Sequence, residues 1–221
     1  QQELGSSSPL WAVLLVPASL VARGLGISVV LPAKLTGVLV ATAGSLAAAG
    51  LARALGLGLA VELAAGLAIA VDPGLAFAQV SGMEVMLAAG LALLALGQLA
   101  LGRHKTAGLA AGLAVLARPE MALLAALVLG FGEWQMHRRN APLRERLWVL
   151  APTLVLVPAW MAFCLMVSGH PLPNTVYAKL ASRQEYLSHN LAVVVGQLLP
   201  QSPWFARGAG VVLWAVGAMV L

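Results

Sequence analysis

Charge is scarce in this 221-residue chain: 10% of residues are charged and 61% are hydrophobic. A soluble globular domain carries about 25% charged residues, so water cannot solvate most of this surface and lipid has to. Cysteine is nearly absent. Cys164 stands alone inside an apolar run, which excludes an internal disulfide framework and a thiolate metal site. Histidine is equally thin, and His104, His137, His170 and His189 lack ligand spacing. Phosphate-cradling, dinucleotide, zinc and Ser-His-Asp patterns are missing as well. The net charge of +5 does not point to nucleic acid, because the basic residues form short clusters between apolar runs.

The mean hydropathy is +0.92. Apolar runs cover Leu10–Ala22, Ile27–Leu51, Gly56–Val71, Val85–Leu101, Ala107–Ala117, Met121–Phe131, Leu147–Val167 and Gly208–Leu221. A helix needs about 17–25 residues to cross a bilayer. Ile27–Leu51, Val85–Leu101 and Leu147–Val167 meet that length, and Gly56–Val71 does if it continues through Asp72-Pro73 to Ala78. Ala107–Ala117 and Met121–Phe131 are too short alone, and Arg118-Pro119-Glu120 separates them. The residue before a proline is driven out of the α region, so the helix breaks or kinks there. The predicted fold is therefore an all-α integral membrane protein: a multi-spanning helical bundle with one broken or re-entrant helix pair and external loops. Gly108 and Gly112 form a GxxxG pair and read as a packing face. The chain opens Gln1-Gln2-Glu3 and ends at Leu221 inside an apolar run, so both ends read as truncations.

Arg103-His104-Lys105 and the stretch His137–Arg146 are the basic loops, and the positive-inside rule predicts both in the cytoplasm. Ser81–Glu84 and Ser168–Asn190 then share the outer side, where chemistry is expected.

Four groups of residues carry the polar chemistry. Glu84 follows Val80-Ser81-Gly82-Met83. It is either a helix-start carboxylate favoured by the macrodipole, with Ser81 as cap, or a carboxylate poised for an acceptor hydroxyl, a cation or a basic side chain. Arg118 and Glu120 flank Pro119 and serve either as a latch for a broken helix or as a functional pair. In the stretch from Ser168 to Lys179, Tyr177 and Lys179 follow a rigid Pro171-Leu172-Pro173 entry. They read as an interfacial belt or as a phosphate-binding point. Glu62 and Lys34 lie inside apolar runs and could pair.

These segments, taken in order, carry a resemblance. Ser8-Pro9-Leu10-Trp11, Val80–Glu84, Gly108-Leu109 to Ala117-Arg118-Pro119-Glu120, and Pro171–Lys179 together resemble the GT-C superfamily of polytopic glycosyltransferases. They are similar above all to bacterial arabinofuranosyltransferases and protein mannosyltransferase-like proteins. The resemblance implies a single transmembrane domain over residues 1–221. It implies transfer of sugar from a polyprenyl-phosphate donor to an extracytoplasmic glycan, lipid or protein acceptor, in a multi-pass protein of the bacterial cytoplasmic membrane. A divalent cation is compatible with that chemistry. The family's main catalytic acid is expected upstream of Gln1, which makes Glu84 a second acidic residue of the site. Arg118, Glu120, Tyr177 and Lys179 become donor-site or scaffold residues, and a fragment lacking the upstream acid is expected to be inactive. The alternative is a transporter or permease subunit with charged residues lining a path. A transporter should show matching interruptions in two halves, and only one broken helix is visible. The resemblance also sets a parity problem. Three apolar runs separate Ser8–Trp11 from Glu84, so either Leu10–Ala22 or Gly56–Val71 does not cross.

Overall fold

The computed structural model describes residues 8–81, 83–173 and Tyr177, with Gln79 described in its main chain only. The chain divides into two compact units, 1–174 and 175–221. Of the second, Tyr177 alone is described; it is helical and at the surface.

The first unit is helical throughout its described length. Its elements are α1 (Pro9–Leu25), α2 (Val30–Ala54), α3 (Leu59–Val71), α4 (Pro73–Val80), α5 (Val85–Ala100), α6 (His104–Ala117), a 3-10 turn (Pro119–Met121), α7 (Ala122–Arg138) and α8 (Leu143–Ser168). Proline starts α1, α4 and the 3-10 turn, where its missing N–H costs nothing. Gly26 and Gly169 end α1 and α8 at φ of 64° and 76°, a left-handed conformation that a side chain disfavours.

The expected continuation through Asp72-Pro73 does not occur as one helix. Asp72 is extended (φ −66°, ψ 119°), as the residue before proline requires, and α4 begins anew. The Asp72 carboxylate accepts a 2.7 Å hydrogen bond from the Leu75 N–H and so caps α4. Replacing Asp72 by Ala is expected to cost about 1 kcal/mol, with Asp72→Asn retaining most of the cap. Thermal unfolding in detergent checks the difference between the two variants.

Small residues set how the helices run. Gly44 of α2 lies against Met86 and Gly90 of α5, and Leu51 lies against Gly97, so α2 and α5 are parallel. Gly66 of α3 faces Ser45 and Ala49, which makes α3 antiparallel to α2. Gly108 and Gly112 of α6 face Val149 and Thr153 of α8, so these two are parallel, and the Thr153 hydroxyl donates to the Gly108 carbonyl at 3.1 Å. The GxxxG pair is thus the α6–α8 contact face.

The core is built of small side chains: Ala95, Leu99, Ala107, Ala110, Ala111, Val115, Ala125 and Val128 cluster around α6. Larger apolar groups point outward, among them Leu35, Leu39 and Leu46 of α2, Leu63 and Leu67 of α3, and Leu154, Val155 and Met166 of α8. Among the described residues two helices, α2 and α8, are long and apolar enough to cross a membrane, and little of either is buried inside the bundle.

Two polar ends result. One holds the turns after α5 and α7, with Arg103, Lys105, Arg138, Arg139, Arg144 and Arg146; α2 also finishes there. The other holds the start of α5 and the α6–α7 turn. The α6–α7 hairpin starts and finishes at the basic end. Its helices are longer than the apolar runs that foreshadowed them, because the polar ends 104–106 and 132–138 are also helical. Its turn therefore reaches as far as the beginning of α5. At about 1.5 Å per residue, α2 starts about 21 Å before Gly44 and α8 continues about 22 Å beyond Thr153. Both overshoot the shorter α5 and α6 on the side of the α6–α7 turn.

Candidate functional site

Glu84 occupies the residue before α5, and its carbonyl accepts the Ala88 N–H at 3.1 Å. Ser81 does not cap α5. Its hydroxyl turns back to donate to the Ala78 carbonyl at 3.0 Å, closing α4 instead. Arg118 ends α6 in extended conformation (φ −150°, ψ 123°), dictated by Pro119. The break is internally satisfied, because the Arg118 N–H donates to the Ala114 carbonyl and the Met121 N–H to the Arg118 carbonyl.

Because α5 and α6 form a hairpin of nearly equal arms, Glu84 and Arg118 meet at its open end. Arg118 Nε lies 2.7 Å from Glu120 Oε1 and 3.7 Å from Glu84 Oε1. The Arg118, Glu84 and Glu120 side chains are 25%, 21% and 53% exposed, so the cluster is sheltered on the Glu84 side and open on the Glu120 side. The guanidinium remains charged at any ordinary pH and offers five N–H donors in a planar fork. Two single-point ion pairs do not exhaust that fork. The Glu84 contact is beyond hydrogen-bond length, and a contact of that kind can yield to a better acceptor such as a phosphate oxygen.

Three of the five residues singled out from the sequence, Glu84, Arg118 and Glu120, thus come together. Tyr177 lies in the second unit, and Lys179 lies outside the described residues. The Glu62–Lys34 pairing that the sequence allows is not formed. Glu62 instead pairs with Arg53 at 2.8 Å, because the α2–α3 hairpin brings residues 53 and 62 together at the basic end, while Lys34 lies most of the length of α2 away.

Among the described residues no group of three or more His, Cys, Asp or Glu side chains gathers to hold a metal ion. Where the Glu84 and Glu120 carboxylates approach the same point, the Arg118 guanidinium already sits between them. That donor set does not fit a divalent cation.

The pairing that joins α7 to α8, Glu133 with Arg146 at 2.9 Å, was not foreseen from the sequence. Nor was the burial of His104 at the start of α6. Comparison with protein-family models, curated proteins and solved structures gives no match for this chain.

Proposed function

We propose that the chain works in a multi-spanning membrane glycosyltransferase, moving a sugar from a polyprenyl-phosphate donor to an extracytoplasmic acceptor. The observation that carries this reading is the Glu84–Arg118–Glu120 cluster at the end of the bundle opposite the basic loops. Charges inside apolar helical proteins are costly and are kept where they bind or react. The surface supports a lipid setting: small residues inside, Leu and Val outside, and exposed Trp134 and Trp148 near the basic end where an aromatic belt would lie. The positive-inside rule then makes the basic end cytoplasmic and the cluster extracytoplasmic. With α2 running inward and α3 returning, parity leaves α1 as the run that does not cross.

The chemistry follows from the groups present. The bond from the anomeric carbon to the phosphate oxygen breaks, and its electron pair leaves with the polyprenyl phosphate. The Arg118 fork receives that growing negative charge. The acceptor oxygen bonds to the anomeric carbon, and its proton passes to a carboxylate base. Glu84 steadies the guanidinium from the sheltered side and is placed to accept a hydrogen bond from an acceptor hydroxyl.

Two measurements test the reading in the full-length protein. In reconstituted vesicles, sugar is expected to move from polyprenyl-phosphate donors and not from nucleotide sugars. Turnover from nucleotide sugars alone would refute the donor class. In a Cys164→Ala background, Met83→Cys should react with an impermeant maleimide added to intact cells, and Lys105→Cys only after permeabilisation. The opposite labelling would invert the bundle and place the cluster in the cytoplasm.

A further inference from the structure

At the basic end, a cavity of about 330 Å³ opens beside the first turn of α6, with Gly102, Arg103, His104, Lys105, Thr106 and Glu145 in its lining. From this arrangement we infer a binding site for a phosphate monoester or diester, remote from the Glu84–Arg118–Glu120 cluster and independent of the transfer reaction.

Three features converge on an anion. The first is the helix start itself. Arg103 makes no side-chain cap, and the Thr106 hydroxyl is directed to Gln98 Oε1 at 3.0 Å and the Arg103 carbonyl at 2.8 Å. The N–H groups of His104, Lys105 and Thr106 precede the first intrahelical bond, which runs from the Ala107 N–H to the Arg103 carbonyl. Such N–H groups, with the dipole behind them, bind phosphate oxygens.

The second feature is His104. It is 8% exposed and lines the same cavity, yet both ring nitrogens are buried without a hydrogen-bond partner. A buried polar group in that state needs a partner, which a bound water, ion or ligand can supply. Burial first, and the neighbouring Arg139 second, push its pKa below the ordinary value, against the opposing pull of Glu133. Burial thus favours the neutral ring, which has one N–H to donate.

The third feature is the charge around the rim. Arg103 and Lys105 are exposed, and Arg139 Nη1 lies 3.7 Å from where a Cβ on Gly102 would stand. On the acidic side, Glu133 is engaged by Arg146, and Glu145 of α8 is the carboxylate in the lining. A phosphate has to be drawn by the cations and the helix start against Glu145 and against Glu133, whose Oε1 is buried without a partner and whose charge reaches His104.

The chemistry is shared by a lipid headgroup at the membrane surface and by a free phosphate, and the experiment separates them. Thermal unfolding of the detergent-solubilised protein is followed against inorganic phosphate at constant ionic strength, and separately against short-chain phosphatidic acid with phosphatidylcholine as the blank. Saturable stabilisation by the lipid alone assigns a headgroup; saturation by inorganic phosphate as well assigns a free-phosphate site. In either case Lys105→Gln and His104→Gln should each weaken binding about 10-fold, and Glu145→Gln should tighten it. Lys34→Gln, at an exposed cation elsewhere, should leave it unchanged. Lys105 is exposed, so its variant folds whatever becomes of the buried His104 variant. Absence of saturation with both ligands, or equal affinity in wild type and Lys105→Gln, overturns the inference.

Discussion

Arg118→Ala is expected to lower kcat/KM for sugar transfer by about 100- to 1,000-fold, the usual consequence of removing one preorganised group that stabilises developing charge. Among the described residues, Arg118 is the cation that the structure brings between Glu84 and Glu120. On the proposed reading its removal deletes the hydrogen-bond donors to the departing phosphate, and it leaves two carboxylates facing each other. Both effects raise the barrier, and the fall should appear in kcat as well as in KM. Arg118→Lys keeps the charge but loses the fork, so it should recover only part of the rate. Glu84→Gln should cost about 10- to 100-fold through the sheltered contact, and Glu120→Gln less, since Glu120 is half exposed. Kinetics against donor concentration in reconstituted vesicles separate this from a structural latch. A latch predicts a lower unfolding temperature with kcat unchanged in the folded fraction. Full kcat in folded Arg118→Ala would remove Arg118 from the chemistry.

How far the sequence could be read depends on the range of the forces involved. The break at Arg118 was legible because the clash between a proline ring and the preceding residue is local. The GxxxG packing face was legible because only glycine permits such close approach. The partner of Arg118 was not, since Glu84 is 34 residues away in the chain. A usable signal did exist. Glu84 and Arg118 are nearly equidistant from Gly102, the pivot of the α5–α6 hairpin, so equal arms bring them together. The same rule applied around Gly56–Gly58 selects Arg53 as the partner of Glu62 and excludes Lys34. Ser81 misled for a different reason. A serine between two helices can bond backward or forward, and only the geometry of the α4–α5 turn decides.

Gly108→Ala should lower the unfolding temperature by about 5–10 °C, whereas Gly130→Ala on α7 should be neutral or mildly stabilising. The two substitutions add the same methyl group to a helix interior, and intrinsic propensity favours alanine at both sites by about 1 kcal/mol. Their surroundings differ. A Cβ on Gly130 would meet nothing within 4 Å. A Cβ on Gly108 would run into the Val149 carbonyl oxygen, a backbone atom that cannot swing aside. One turn on, a Cβ at Gly112 would already stand 3.1 Å from Thr153 Cα, so α6 and α8 have no slack along this face. Relief requires the two helices to separate. That strips contacts from the core around Ala107, Ala110 and Ala111 and lengthens the hydrogen bond from Thr153 to the Gly108 carbonyl. Overpacking costs about 1–3 kcal/mol, and an interhelical hydrogen bond in a membrane protein contributes about 0.6 kcal/mol. In a chain of this size each kcal/mol moves the midpoint by about 2–4 °C. The measurement is the unfolding midpoint of both variants in one detergent, beside Thr153→Val, which removes the hydrogen bond without the clash and should shift it least among the destabilising changes. Equal midpoints for Gly108→Ala and Gly130→Ala would mean that α6 and α8 do not touch at Gly108, and the parallel α6–α8 packing would have to be abandoned.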